Sequence, residues 1–267
     1  MTADPVVYER RDGVVTLRLN RPATLNAMNE AMMAEFERLL PDIAADATVR
    51  TVVLTGTGRA FSSGGDQKRD RDGQEAERKF FDGDLGGGVV ERLHRCILQL
   101  QRMPKPVIAS VNGIAVGAGC NLALAADLRI AAHSARFGEV FSLRGLVPDG
   151  GGSYFLPRLV GVAKAMELIM LADIIDADEA LRIGLVNWVK PAHELQAETD
   201  KLTERLAQGP TLAYGMAKSA LYQGLEMSLE DVLNLEARNQ AIAGRSQDRA
   251  EGAAAFREKR PPRFIGR

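Results

Sequence analysis

Residues 112–127, NGIAVGAGCNLALAAD, constrain this 267-residue chain more than any other stretch. They follow an apolar, strand-like run at 106–111, pass through a turn containing Gly117 and Gly119, and continue as an Ala/Leu-rich helix pattern. Glycine has no Cβ, so such a turn lets the backbone approach a ligand closely. The first N–H groups of the helix that follows have no intrahelical partner. A strand, a glycine turn and a helix in that order therefore make a place to bind an anion or a developing oxyanion.

The remaining sequence narrows the class. Thirty-four Lys and Arg face thirty-five Asp and Glu, so no basic excess points to nucleic acid. The start, MTADPVVYERRDG, lacks the charged and apolar regions of a signal peptide, and the apolar runs fall well short of the roughly 18 residues of a membrane span. Two cysteines, Cys96 and Cys120, suit a reduced, cytoplasmic protein better than a disulfide scaffold. The three histidines are scattered, with no metal-like cluster. The expectation is a cytoplasmic protein of α/β class, without a membrane span, metal or nucleic-acid partner.

Along the chain, 6–9 and 14–19 flank Arg11-Asp12-Gly13 as a hairpin. Asn29 caps a helix that carries Met32, Met33, Phe36, Leu39 and Leu40 on one face. A buried-type strand at 51–54 precedes a second glycine turn, FSSGGD, at 61–66. Residues 67–88 are charged and then glycine-rich, and read either as a solvated loop or as a lid over a pocket. An amphipathic helix spans 89–103 and ends at Pro104 and Pro106. Strands at 107–111 and 127–131 enclose the opening segment. A third glycine loop, GLVPDGGG, covers 145–152. Helical patterns follow at 163–171 and 178–183, with a strand at 187–189 between them and the tail. From 195 onward every element reads as helix, at 195–207, 211–222, 229–244 and 249–259. Ser228 with Asp231 resembles a capping box. Residues 1–195 thus read as a parallel-sheet core and 196–267 as a helical module.

The two turns at 61–66 and 112–119 are similar objects, and together they could present two backbone N–H groups to one oxygen. Neither has the ending of a phosphate-binding Walker loop. Asp149, in Pro-Asp-Gly-Gly, reads either as a turn-former or as a carboxylate in an apolar pocket, where burial raises its pKa and suits it to moving protons. His94 reads as an exposed or core-edge residue of the 89–103 helix. Cys120 reads as core.

Six segments in order, LNRPATLNAMN (19–29), GRAFSSGGD (58–66), PKPVIASVNGIAVGAGCNLALAADLRIA (104–131), GLVPDGGGSYFLPRLVG (145–161), ADEALRIGLVNWV (177–189) and AAFREKRPPRFIG (254–266), resemble the crotonase superfamily, the enoyl-CoA hydratase/isomerase family. The resemblance implies a crotonase, ClpP-like spiral of ββα turns, a helical C-terminal trimerisation module giving a homotrimer or dimer of trimers, and an acyl-CoA thioester substrate with no separate cofactor. It implies that the N–H groups of Gly65 and Ala118 form an oxyanion hole. Leu25, Ala27, Ser63, Asp66 and Gln67 match positions along the CoA path. Phe256 and Lys259 match tail positions that close the nucleotide site, in some members from a neighbouring subunit.

The departures from the family pattern carry the finer expectation. The two glutamates with which hydratases of the family activate water are replaced by Asn121 and Phe141, and neither can act as a general base. Asp149 matches a position where several subfamilies place a catalytic aspartate. VFSLRGLVPDGGGSYFLPRLVG is closest in motif to the ring-epoxide (2-(1,2-epoxy-1,2-dihydrophenyl)acetyl-CoA) isomerases of phenylacetate breakdown. The expectation is an acyl-CoA isomerase in which Asp149 moves a proton, Phe141 walls the pocket and Asn121 orients the substrate or is purely structural. The alternatives are a hydratase pairing Asp149 with Glu139 or an acid of 67–84, an aryl-CoA dehalogenase using Asp149 with His94, and a non-catalytic acyl-CoA-binding protein.

Overall fold

A computed structural model describes residues 4–66 and 88–267. β1 (Val6–Arg11) and β2 (Val14–Leu19) form the expected antiparallel hairpin. Asp12 and Gly13 make its turn with φ of 47° and 80°, the hand that matches the twist of paired strands. α1 (Glu30–Ala45) starts at Asn29, whose side chain accepts the Met32 N–H, and buries Met32, Met33, Phe36, Leu39, Leu40 and Ile43.

The core is then wound from a repeated unit in which a long strand joins one sheet and a short strand joins a second. β3 (Thr51–Gly56) leads to β4 (Ala60–Ser62), and beyond them comes α2 (Val89–Arg102). β5 (Val107–Val111) leads to β6 (Ile114–Val116) and α3 (Ala118–Leu124). β7 (Leu128–Ala132) leads to β8 (Arg136–Gly138) and on to α4 (Gly152–Val160). After α5 (Val162–Leu171), β9 (Ile175–Asp176) and α6 (Ala177–Arg182), β10 (Trp188–Lys190) returns to the first sheet.

The six-stranded sheet runs β1-β2-β3-β5-β7-β10, and the four-stranded sheet β4-β6-β8-β9. Beyond the hairpin, every pair in the larger sheet is parallel, with Leu17 opposite Leu54 and Leu54 opposite Ala109. β3 and β5 are buried at every position, as parallel strands covered on both faces must be. This is the spiral of ββα turns that the resemblance implied.

Four helices close the chain: α7 (Leu195–Ala207), α8 (Thr211–Gly224), α9 (Leu229–Ala243) and α10 (Gln247–Glu258). Leu195, Leu202 and Leu206 of α7 pack on Ile108, Ile130 and Ala132, so this helix covers the outer face of the large sheet. On α8, Lys218 donates to the Leu100 carbonyl at 2.8 Å and pairs with Asp127 at 2.9 Å in a nearly buried contact. Ser228 accepts the Asp231 N–H, which is one half of the expected capping box. No described helix is long and apolar enough to cross a membrane.

Four of the short strands, β4, β6, β8 and β9, and the helix α4 were not expected from the sequence. A strand of two or three residues is too short to show a period of two. α4 starts behind Gly150 and Gly151, both at positive φ, and contains Pro157, so its sequence carries loop signals at its start and a helix breaker inside it.

Candidate active site

The first glycine turn is laced to the segment before α1. Leu25 and Asn26 both adopt left-handed φ, 54° and 57°. That bend buries the Asn26 side chain, which donates to the carbonyls of Ala60 (2.8 Å) and Thr57 (3.0 Å) and accepts the Arg21 N–H (2.9 Å). Ser63 N–H donates to the Leu25 carbonyl at 2.9 Å, Met28 N–H to the Gly64 carbonyl at 2.8 Å, and Asp66 N–H to the Met28 carbonyl at 2.8 Å. These last two bonds are the bridge between Met28 and Gly65. In a parallel bridge of this kind the partner residue's own N–H points away from the pairing. Gly65 thus turns its N–H out of the bridge. Arg21 and Asp66 close the lacing with an ion pair of 2.7 Å, both side chains largely buried.

The second turn reaches the same place from the opposite side. Gly117 has φ 56° and its N–H donates to the Gly138 carbonyl at 2.8 Å. Ala118 is the first residue of α3, where an N–H has no intrahelical acceptor. The two turns touch backbone to backbone. A Cβ on Gly64, whose φ is 90°, would lie 3.0 Å from the Val116 carbonyl oxygen and 3.4 Å from the Ala118 nitrogen. A Cβ on Gly119 would lie 2.5 Å from the Ser62 carbonyl oxygen. Glycine at these two positions is what brings the Gly65 and Ala118 amides to one wall.

That wall borders a cavity of about 420 Å³, within the range of small-molecule sites. Ala27, Ser63, Gly65, Asp66, Ala118, Phe141 and Asp149 line it, so the fold gathers seven of the sequence candidates. Thr24, Val140, Arg144 and Leu146 also contribute. Burial raises the Asp149 carboxyl to about 6. Its Oδ1 is buried without a hydrogen-bond partner among the described residues. The other lining carboxylate, Asp66, is committed to Arg21. Phe141, 9% exposed, supplies an apolar wall.

Other candidates lie elsewhere. Asn121 is fully buried and does not line the cavity; its amide donates to the Asp149 backbone carbonyl at 2.9 Å. Its place is behind the wall. Leu25 also stays off the lining and serves through its carbonyl. His94 is exposed on α2 and is not among the lining residues. Phe256, 86% exposed, and Lys259, which ends α10 with φ 52°, stand apart from the cavity of their own chain. Gln67 and the expected lid, apart from Gly88, fall outside the described residues. Cys120 is buried, and burial pushes its thiol well above the ordinary range, as a core residue requires. No group of three or more His, Cys, Asp or Glu able to hold a metal occurs among the described residues.

Sequence reasoning missed Arg21, Asn26 and Arg144. The Asn-x-x-Asn spacing of 26 and 29 is a turn-and-cap signal for Asn26. The pairing of Arg21 with Asp66 joins residues 45 positions apart and leaves no local trace.

Comparison with known proteins places the chain. The family described as enoyl-CoA hydratase/isomerase matches residues 9–267. A protein of Rhodobacter capsulatus named probable enoyl-CoA hydratase is 41% identical, over the whole of both chains. The 1,2-epoxyphenylacetyl-CoA isomerase of Escherichia coli is 40% identical, over 96% of each. The crystal structure of an enoyl-CoA hydratase from Bacillus anthracis superimposes with a TM-score of 0.90 at 35% identity, covering 98% of this chain and all of the other. With this fold, and with matched segments across nearly its full length, the chain belongs to the enoyl-CoA hydratase/isomerase family.

Proposed function

We propose that the protein is an acyl-CoA isomerase. The thioester carbonyl oxygen accepts from the N–H groups of Gly65 and Ala118, which stabilise the enolate formed when a proton leaves the α or γ carbon. Asp149 takes that proton and returns it at another carbon, which moves a double bond or rearranges a ring. Because no water is added, one carboxylate suffices. Ala27, Ser63 and Asp66 line the approach of the pantetheine arm. The tail residues Phe256 and Lys259, away from their own chain's cavity, suit a role at the CoA site of a neighbouring copy in a homotrimer or dimer of trimers. A cation there complements a phosphate.

The observation that carries this reading is the carboxyl inventory of the cavity. Among the described residues lining it, Asp149 is the one acid outside an ion pair, and burial tunes it toward neutral pH. Among the described residues, a two-carboxylate hydration finds no second acid outside an ion pair at the wall: Glu139 is buried and off the lining, and Phe141 stands at the position where the resemblance puts a hydratase glutamate. The exposed position of His94 removes support from the dehalogenase reading.

A mass-spectrometric screen of enoyl, dienoyl and aromatic CoA esters tests the proposal, with Asp149→Asn as control. Isomerisation without mass change is expected. Robust water addition to crotonyl-CoA would replace this reading with a hydratase, and binding without turnover across the panel would replace it with an acyl-CoA-binding protein.

A further inference from the structure

Behind Asp149 lies a polar cluster that proton transfer at the cavity does not use. Glu139 is 1% exposed. Its Oε2 accepts from Asn121 Nδ2 at 3.4 Å, and the same amide nitrogen donates to the Asp149 carbonyl at 2.9 Å. Glu139 Oε1, Asn121 Oδ1 and Asp149 Oδ1 are all buried without a partner among the described residues. The Asn121 carboxamide is also wedged from the other side. A Cβ on Gly152 would come within 2.6 Å of its nitrogen and 2.7 Å of its oxygen, so only glycine leaves room for it.

The surroundings decide the charge of Glu139. Phe137, Leu156, Leu168, Ile175 and Leu185 from five different segments bring apolar side chains to it. Among the described residues, the groups acting on its carboxyl are the Cys120 thiol of α3, the Asn121 amide and the Asp149 carboxyl, with no cation among them. An ionised Glu139 would be a buried anion held by one long N–H contact and by the weak donor of the Cys120 thiol, a costly arrangement. A protonated Glu139 adds a donor to a cluster that is short of donors.

We propose that Glu139 is a positioning residue that works as a neutral acid: it seats the Asn121 carboxamide from behind, and Asn121 seats the backbone of Asp149 at the cavity wall. This rests on Asp149 being the acid/base of the reaction. It also gives the second buried carboxyl of the site a task other than activating water.

The pH dependence follows from the two groups. Burial raises Asp149 to about 6. Burial raises Glu139 to about 7, with the Asp149 charge acting in the same direction. Activity rises as Asp149 ionises. It falls as Glu139 ionises, because a second negative charge then stands beside the base and near a developing enolate. The profile of the pair is a bell with macroscopic limbs.

The experiment compares wild type, Glu139→Gln, Glu139→Leu and Asp149→Asn on the CoA ester that wild type turns over fastest. It reads kcat and KM across pH, and the infrared carboxylic-acid stretch lost in Glu139→Gln near pH 6. Glu139→Leu is expected to lower kcat by about 10- to 100-fold with KM within about threefold, the signature of a misplaced base. Glu139→Gln is expected to restore most of that loss and to abolish the alkaline limb. A carboxylate instead of an acid at Glu139 near pH 6 overturns the proposal, and so does an alkaline limb that persists in Glu139→Gln. If Glu139→Leu does not fold, the Gln variant and the infrared band still decide. Full activity of Asp149→Asn would overturn the role of Asp149 alone, since the infrared band reports the state of Glu139 without reference to turnover.

Discussion

The two glycine turns place an N–H on one wall by different means. At Gly65 the donor is freed because a bridge engages its neighbours: Gly64 and Asp66 both bond to Met28, and Asn26 and Arg21 hold the turn from outside. At Ala118 the donor is freed because it opens a helix, where no acceptor lies one turn back. The first depends on a set of long-range side-chain bonds. The second needs only a helix start and a glycine before it. The first turn is therefore the more vulnerable to substitution at a distance, and the second to substitution on the spot.

Ala118→Pro attacks the second turn directly. Proline is tolerated in the first turn of a helix and removes the N–H. The expected result is a folded protein with kcat lowered by about 10²- to 10³-fold, the usual loss for one oxyanion donor, read by steady-state kinetics beside a circular dichroism melt. Gly64→Ala attacks the contact between the turns. A φ of 90° is strained for alanine, and the new methyl meets the Val116 carbonyl. The expected loss is about 10- to 100-fold in kcat, as the two donors move apart. Asn26→Ala takes the Asn26 donor from the Thr57 and Ala60 carbonyls, of which Ala60 keeps Asn112 Nδ2 at 3.2 Å, and takes the acceptor from the Arg21 N–H. Thermal unfolding should show about 2–3 kcal/mol of lost stability, with a smaller fall in activity than either change at the donors. Ala118→Gly keeps the N–H and is expected to leave kcat within about threefold of wild type. A large loss there would mean that the methyl group, rather than the amide, matters.

The comparison also explains what could be read from the chain alone. The second turn was legible because its parts are adjacent: apolar strand, Gly117, Gly119, Ala-rich helix. So were the hairpin at Asp12-Gly13 and the Asn29 cap, both built from neighbouring residues. The first turn was recognisable as glycine-rich, but its lacing to Arg21 and Asn26 is a tertiary fact. Asp149 was legible as a candidate, with burial as one of its two readings, while the identity of the residues around it was not. Asn121 offered two readings, one orienting the substrate and one purely structural; it stands off the cavity lining and donates to the Asp149 carbonyl, a direction that a helix of this length takes only once its packing on α4 is set. The small strands of the second sheet gain stability from pairing and not from pattern, and left no local mark.

The central claim is that Asp149 is the proton carrier beside an enolate held by two backbone amides. The most direct test is the isomerisation of a 3-enoyl-CoA by Asp149→Asn, measured across pH against wild type. The account predicts a loss of about 10²- to 10⁴-fold in kcat, with disappearance of the wild-type limb near 6 that reports the raised carboxyl. A variant that keeps full isomerase activity and the same limb would contradict it.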